Sequence, residues 1–369
     1  MMKQDRTISE NQLAVTAFVL MLSPALRLFP SAAAEYAGHS APLAALLAFF
    51  PAALYLFLVC RAAALRREGE GLCAMIARAL PGRFGRMALG ILCLWLLAYA
   101  GFVLRSGADR FIIAVYPGAP VGFFVLTMAA AALSAAFAPY RDAARTAKLV
   151  FPAVGGVLAL VLVFSLGKLH ADNLLPLMPE SAAGLLGGML PGLDVLVWTM
   201  CAPLFALGEV KKESCSYPRL LGALAAGCAV LALMSTAVIG SFGAALSSSL
   251  SWPFFSLVRN LVFFRSVERA EALVVALWVF PDFLIVSLFL RAAREALALS
   301  LGRRLQSLAD ARAALPLCAA AACVFAMLAA PDAAALSLLS QTVIPAANLF
   351  FALVFLPLIL LTGKRKGRL

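Results

Sequence analysis

Two short stretches decide how this chain folds: Leu22-Ser23-Pro24-Ala25-Leu26-Arg27 and, half a chain later, Met189-Leu190-Pro191-Gly192-Leu193-Asp194. Each sets a helix breaker and a charged residue inside an apolar run, Gln12–Pro30 for the first and Leu185–Leu207 for the second. A helix needs about 20 mainly apolar residues to cross about 30 Å of hydrocarbon. Working outward, further runs of that kind cover Pro42–Cys60, Met87–Phe111, Val121–Phe137, Lys148–Leu166, Leu221–Gly243, Ala270–Leu290, Ala313–Ala329 and Ser340–Leu361. The reading is an all-α integral membrane protein of about ten transmembrane helices, a single membrane domain over residues 1–369. The runs divide into five within 12–166 and five within 185–361.

Composition agrees. Hydrophobic residues make up 64% of the chain and charged residues 13%, with mean hydropathy +0.98. Soluble domains are typically about 45–50% apolar and about 25% charged, so lipid must solvate much of this surface. The net charge of +12 sits in short Lys/Arg clusters between apolar runs and not on one face, which excludes a nucleic-acid binder. The first run follows Lys3 and Arg6 but is interrupted by Pro24, Arg27 and Pro30, so it reads as a permanent helix and not a cleaved leader.

Orientation follows from the same clusters. Placing the N-terminus in the cytoplasm puts Arg61, Arg66, Arg67, Arg78, Arg83 and Arg86 inside. Arg141, Arg145, Lys148, Lys211, Lys212, Arg219 and the group from Arg291 to Arg312 fall on the same side, with the basic tail. The opposite loops keep only Lys168, Arg259, Arg265 and Arg269. Cytoplasmic loops carry the excess of Lys and Arg, so both termini are expected in the cytoplasm. Of the loops, Gly69–Pro81 spaces Leu72, Met75, Ile76 and Leu80 as a short amphipathic helix. Trp252–Arg265 aligns Phe254, Leu257, Val258, Leu261 and Phe264 on one stripe, either an interfacial helix or a lid over an outer vestibule.

Secondary transporters place their substrate sites where helices are interrupted near the midplane, at matching positions of two halves. Pro24 and Pro191-Gly192 each fall in the first helix of a half, so non-helical backbone facing a shared cavity is expected there. Charges inside spans are the second signal, because each costs about 2.5–3.5 kcal/mol on insertion scales and usually marks a partner or pathway. Arg27, Asp194 and Asp282 qualify, and Arg27 is expected to pair with Asp194 first or Asp282 second, in a structural or a ligand-binding role. Arg105, Asp109 and Arg110 lie near the outer end of their run, where snorkelling to the interface is expected. With Ser23, Pro24 and Ala25 at one break, Gly192 at the other, and the aromatics Tyr99 and Trp198, these residues form the candidate substrate site. No phosphate-binding loop, nucleophile elbow or zinc signature is present, and the eight cysteines form no CxxC pair. Neither an enzyme, a cofactor nor a metal site is expected.

Three stretches carry a family resemblance: Ile8-Ser9-Glu10-Asn11-Gln12-Leu13 with Leu28-Phe29-Pro30 and Ala34-Glu35-Tyr36-Ala37-Gly38, then Val267-Glu268-Arg269-Ala270-Glu271-Ala272-Leu273 leading to Ala276-Leu277-Trp278-Val279, and finally Phe355-Leu356-Pro357-Leu358-Ile359-Leu360 before a basic tail. In this order and spacing they resemble the spore germination permeases, the B subunits of nutrient germinant receptors. The resemblance implies an amino-acid permease fold of two inverted five-helix repeats and residence in the inner membrane of the spore. It also implies recognition of a small nutrient, commonly an amino acid, in company with an A subunit and a lipoprotein C subunit. Arg27 departs from the pattern, standing where permeases of this fold carry a glycine-rich break, and only Ser287 offers a hydroxyl in the eighth run, so sodium coupling is not expected. A secondary transporter of amino acids or related solutes, and a structural partner with a decayed site, are the competing readings.

Overall fold

The computed structural model of the protein describes residues 8–67, 69–80, 82–176, 179, 181–210, 217–261, 270–301 and 313–354. Among them there is no strand, only an isolated parallel bridge between Ile8 and Val210. Several residues of interest lie outside the described set: Lys211, Lys212, Cys215, Phe264, Arg265, the stretch Val267–Arg269, Arg303, Arg304, Arg312 and the tail from Phe355 onward.

The helices run in the order α1 (Glu10–Ala37), α2 (Ala41–Leu47), α3 (Phe49–Ala64), α4 (Leu72–Ala79), α5 (Arg83–Ala114), α6 (Val121–Ala136) and α7 (Tyr140–Ser165). After an irregular connection come α8 (Ala182–Cys201), α9 (Tyr217–Phe242), α10 (Ala244–Ser249), α11 (Pro253–Asn260), α12 (Ala270–Leu301), α13 (Ala314–Leu328) and α14 (Ala333–Val354). A π-helical turn at Leu339–Val343 interrupts α14. Among the described residues, six helical stretches are long and apolar enough to cross a membrane, and α6 and α13 are shorter apolar helices. Leu149 on α7 (79% exposed) and Leu328 on α13 (76%) show how apolar the outer faces are. Side chains of that kind at that exposure need lipid against them.

Local chemistry sets the first helix. Ser9 accepts from the Gln12 backbone amide while Gln12 reaches back to the Ser9 amide, a capping box that satisfies two orphan donors. Ile8 just before it donates its amide to the Glu209 carbonyl at 3.0 Å, and Glu10 pairs with Arg219 at 2.5 Å. The opening Ile8–Leu13 stretch is therefore a docking device, tying the start of α1 to the first turn of α9 and to the segment before it.

α1 packs on α8 and α9, and α5 packs on α12 and α13. Small residues let these helices approach. A Cβ at Gly188 would lie 2.5 Å from the Ala37 Cβ, and one at Gly192 would lie 2.9 Å from the Phe29 ring. The amphipathic helix expected after α3 is α4, with Leu72, Cys73, Met75 and Ile76 buried. The stripe expected at Trp252–Arg265 is α11, which buries Phe254, Leu257 and Val258 in the protein, with Phe254 packed on Trp278.

One close helix contact generates a test. At Gly101 on α5 a Cβ would sit 2.5 Å from the Ala322 carbonyl oxygen and 2.8 Å from the Phe325 Cβ on α13. Gly101→Ala should lower stability by about 1–3 kcal/mol, the usual cost of overpacking. Gly90→Ala on the same helix, where nothing lies within 4 Å, should leave the melting temperature of the purified protein unchanged.

Candidate functional site

The expected helix breaks are absent. α1 is continuous over 28 residues with Pro24 and Pro30 inside it, and α8 runs unbroken through Pro191-Gly192 to Cys201. Only beyond that point does the backbone tighten, into a 3-10 helix over Ala202–Glu209. A proline deletes one backbone hydrogen bond, which neighbouring helices in a membrane bundle can offset. Gly192 serves contact with Phe29 and does not adopt a left-handed conformation.

What the two helices bring together is a set of buried charges. Asp282, fully buried on α12, accepts from the Ser23 hydroxyl through Oδ1 and pairs with the Arg110 guanidinium through Oδ2. Arg110 also approaches the Ser23 hydroxyl at 3.5 Å and donates from Nε to the Ser106 carbonyl at 3.2 Å. α1, α5 and α12 are thus joined through one carboxylate. Beside it, Arg27 on α1 is only 2% exposed and lies over the Phe102 ring at 4.8 Å. Its Nη1 donates to the Ser106 hydroxyl at 2.7 Å, and that hydroxyl donates on to the Val103 carbonyl at 3.1 Å.

The expected ion pair of Arg27 with Asp194 or Asp282 is not formed. Asp282 is committed to Arg110, and Arg27 has no carboxylate within 4.0 Å among the described residues. Its Nε and Nη2 have no hydrogen-bond partner among the described residues. Asp194 on α8 is buried with Oδ1 unpartnered and the Asn348 side chain within reach. Tyr99 stands within electrostatic range of both Arg27 and Asp194, and its ring packs edge-on to Trp198 at 5.7 Å. Pro24 and Ala25 are buried in α1 without a polar role.

The expected snorkelling of Arg105, Asp109 and Arg110 is also overturned, because all three turn inward and are at most 9% exposed. Arg105 donates to the Ala330 carbonyl at 2.8 Å and pairs with Asp109 at 3.3 Å. The other oxygen of Asp109 accepts from the Trp252 indole at 3.2 Å. Trp252 and Phe255 flank the Arg110 guanidinium at 5.9 and 5.7 Å, so α11 and the residue before it roof the charge cluster. Arg105/Asp109 and Ser106/Arg110 are two i,i+4 pairs on adjacent stripes of one helix, a spacing that serves an exposed and a buried helix end alike.

Two small cavities meet at Ile113, Ser251 and Trp252. One, of about 50 Å³, is walled by Arg27, Ser31, Asp109, Ser337, Ser340 and Gln341. The other, of about 140 Å³, is walled by Arg110, Phe255, Ser256 and Arg259. A larger cavity of about 370 Å³ lies at the opposite end, bounded by Gly71, Tyr140, Glu209, Arg291 and Glu295. There Glu209 accepts from Arg291 at 2.9 Å and from the Arg141 amide at 3.2 Å.

Long apolar helices around a buried, roofed charge cluster define a membrane-embedded helical bundle. The fold agrees with a solved structure: Mhp1, a nucleobase-cation-symport-1 family transporter, in a closed conformation with bromovinylhydantoin bound. That structure superposes with a TM-score of 0.61 at 12% identity, covering 95% of this chain and 78% of its own. No curated protein sequence matches the chain significantly. The chain belongs to the spore germination protein family, whose model matches residues 7–332.

The charge network carries its own test. Arg110→Ala should leave Asp282 buried without its cation and cost about 3–5 kcal/mol, and Arg110→Ala with Asp282→Ala should recover part of that loss. Arg27→Ala should show no such coupling to Asp194→Ala. Melting temperatures of the purified single and double variants measure both cycles.

Proposed function

We propose that this protein is the membrane subunit of a nutrient-germinant receptor, a non-enzymatic sensor built on a transporter fold. It binds a small nutrient, such as an amino acid, and passes the signal to an A subunit and a lipoprotein C subunit in the inner membrane of the spore. The observation that carries the reading is the family match over residues 7–332, combined with a charge cluster roofed by α11. Ser23, Arg27, Tyr99, Asp194, Trp198 and Asp282 are the side chains assigned to that site. The chain crosses the membrane ten times in two inverted five-helix repeats, 12–166 and 185–361, with both termini in the cytoplasm. A secondary transporter of amino acids or related solutes is the second reading, favoured by the likeness to a symporter.

Spores lacking this gene, tested across a panel of nutrients, should fail to germinate with one nutrient class and respond normally to the rest. Normal germination with every nutrient, together with loss of solute uptake in growing cells, selects the transporter reading instead. Topology is checked by cysteine labelling in a cysteine-free background. Cysteines at the exposed Glu35 and Asp172 should react from outside, and those at Arg67 and Arg83 should stay protected.

A further inference from the structure

Of the three arginines buried in the outer cluster, two are matched to carboxylates, Arg105 to Asp109 and Arg110 to Asp282. Arg27 is the exception among the described residues, and the atoms it leaves unpartnered are informative. Nη1 is held by Ser106, whereas Nε and Nη2 are both free of hydrogen bonds and buried. Those two atoms form the side-on edge of the guanidinium, whose parallel N–H bonds match the two oxygens of a carboxylate. Tyr99 lies beside the guanidinium, close enough to interact with it, yet Nε and Nη2 remain without a geometrically formed hydrogen bond among the described residues. A guanidinium cannot shed its proton, and a buried donor without a partner costs about 1–3 kcal/mol, more when charged.

The surroundings suit an anion. Arg27 lines the cavity of about 50 Å³ together with the hydroxyls of Ser31, Ser337 and Ser340 and the amide of Gln341, and the one carboxylate on its wall, Asp109, has both oxygens committed to Arg105 and the Trp252 indole. By the same measure one water takes about 10–15 Å³, so this cavity admits a head group and not a whole solute. Beyond Trp252 the adjoining 140 Å³ cavity gives room for the remainder. The π-helical turn of α14 at Leu339–Val343 carries Ser340 and Gln341 at this wall, and such turns frequently occur at functional sites.

We propose that Arg27 is the ligand's carboxylate receptor: the site takes a small carboxylic acid, its two oxygens held side-on by Nε and Nη2, reached from the α11 side past Trp252. This rests on the reading of the cluster as the nutrient site. Neutral isosteres are excluded by the same geometry, since a primary amide offers that edge one acceptor and one clashing donor pair.

The test uses the full-length protein in nanodiscs and follows thermal stabilisation by glycine, L-alanine, L-valine, L-asparagine, lactate and pyruvate, each beside its primary amide. At least one acid should stabilise the wild-type protein, with its amide weaker by about tenfold or more, the usual worth of a charge-assisted pair. Arg27→Lys, which keeps the charge but loses the two-pronged edge, should weaken that acid about tenfold, and Arg27→Gln should abolish its effect. Equal action of acid and amide, an Arg27→Lys protein as sensitive as wild type, or no response to any acid overturns the proposal. Spore germination separates this from the receptor reading. Acid-selective binding by a protein whose deletion leaves germination intact removes the receptor role and leaves the Arg27 assignment standing. Loss of germination on deletion, with acid and amide acting alike, does the reverse.

Discussion

The ion pair between Arg110 and Asp282, with the Ser23 hydroxyl bonded to the same carboxylate, is the constraint on which the core depends. Its members come from α5, α12 and α1, which are far apart in sequence, and none of them faces water. In a lipid-embedded bundle no general hydrophobic force drives helices together, so packing and interhelical polar contacts decide which helices are neighbours. A carboxylate buried this deeply is tolerated only where cation and hydroxyl meet it. Those partners set the rotation of each helix about its axis.

From that rotation the rest of this end of the bundle follows. With Arg110 turned to α12, Ser106 one turn earlier on the same stripe meets Arg27, and the stripe one residue over sets Arg105 against Asp109. Asp109 then holds the Trp252 indole, and α11 is drawn down over the cluster. The short helix that periodicity allowed to be either interfacial or a lid is a roof in this structure, with Phe254, Leu257 and Val258 buried beneath it. At the opposite end Glu209 plays a comparable part, receiving Arg291 through its side chain and the Ile8 amide through its carbonyl. Two polar ties thus stand at the two ends of one apolar bundle.

The continuous helices change how the site is understood. A transporter site made from unwound backbone offers amides and carbonyls to its ligand. Here α1 and α8 keep their backbone groups within the helix through Pro24 and Pro191-Gly192, so polar side chains supply the unpartnered atoms instead. Of the three arginines in this cluster, Arg27 is the one with donors to spare among the described residues.

The sequence by itself determined the class of the molecule. Long apolar runs, a low charge fraction and clustered basic loops leave a membrane bundle as the one way to bury the chain, and α4 and α11 were legible because a helical stripe is a local property. Arg27, Asp194 and Asp282 were legible as candidates because a charge inside an apolar run is costly wherever it occurs. Only the tertiary structure decided the partners. Whether Asp282 meets Arg27 or Arg110 depends on how three helices rotate, and Arg105, Asp109 and Arg110 at a helix end look the same in sequence whether they reach for the interface or turn inward. Proline and glycine mark places where a helix is able to break; whether it does depends on neighbours such as Phe29 packing against Gly192, which no local pattern encodes.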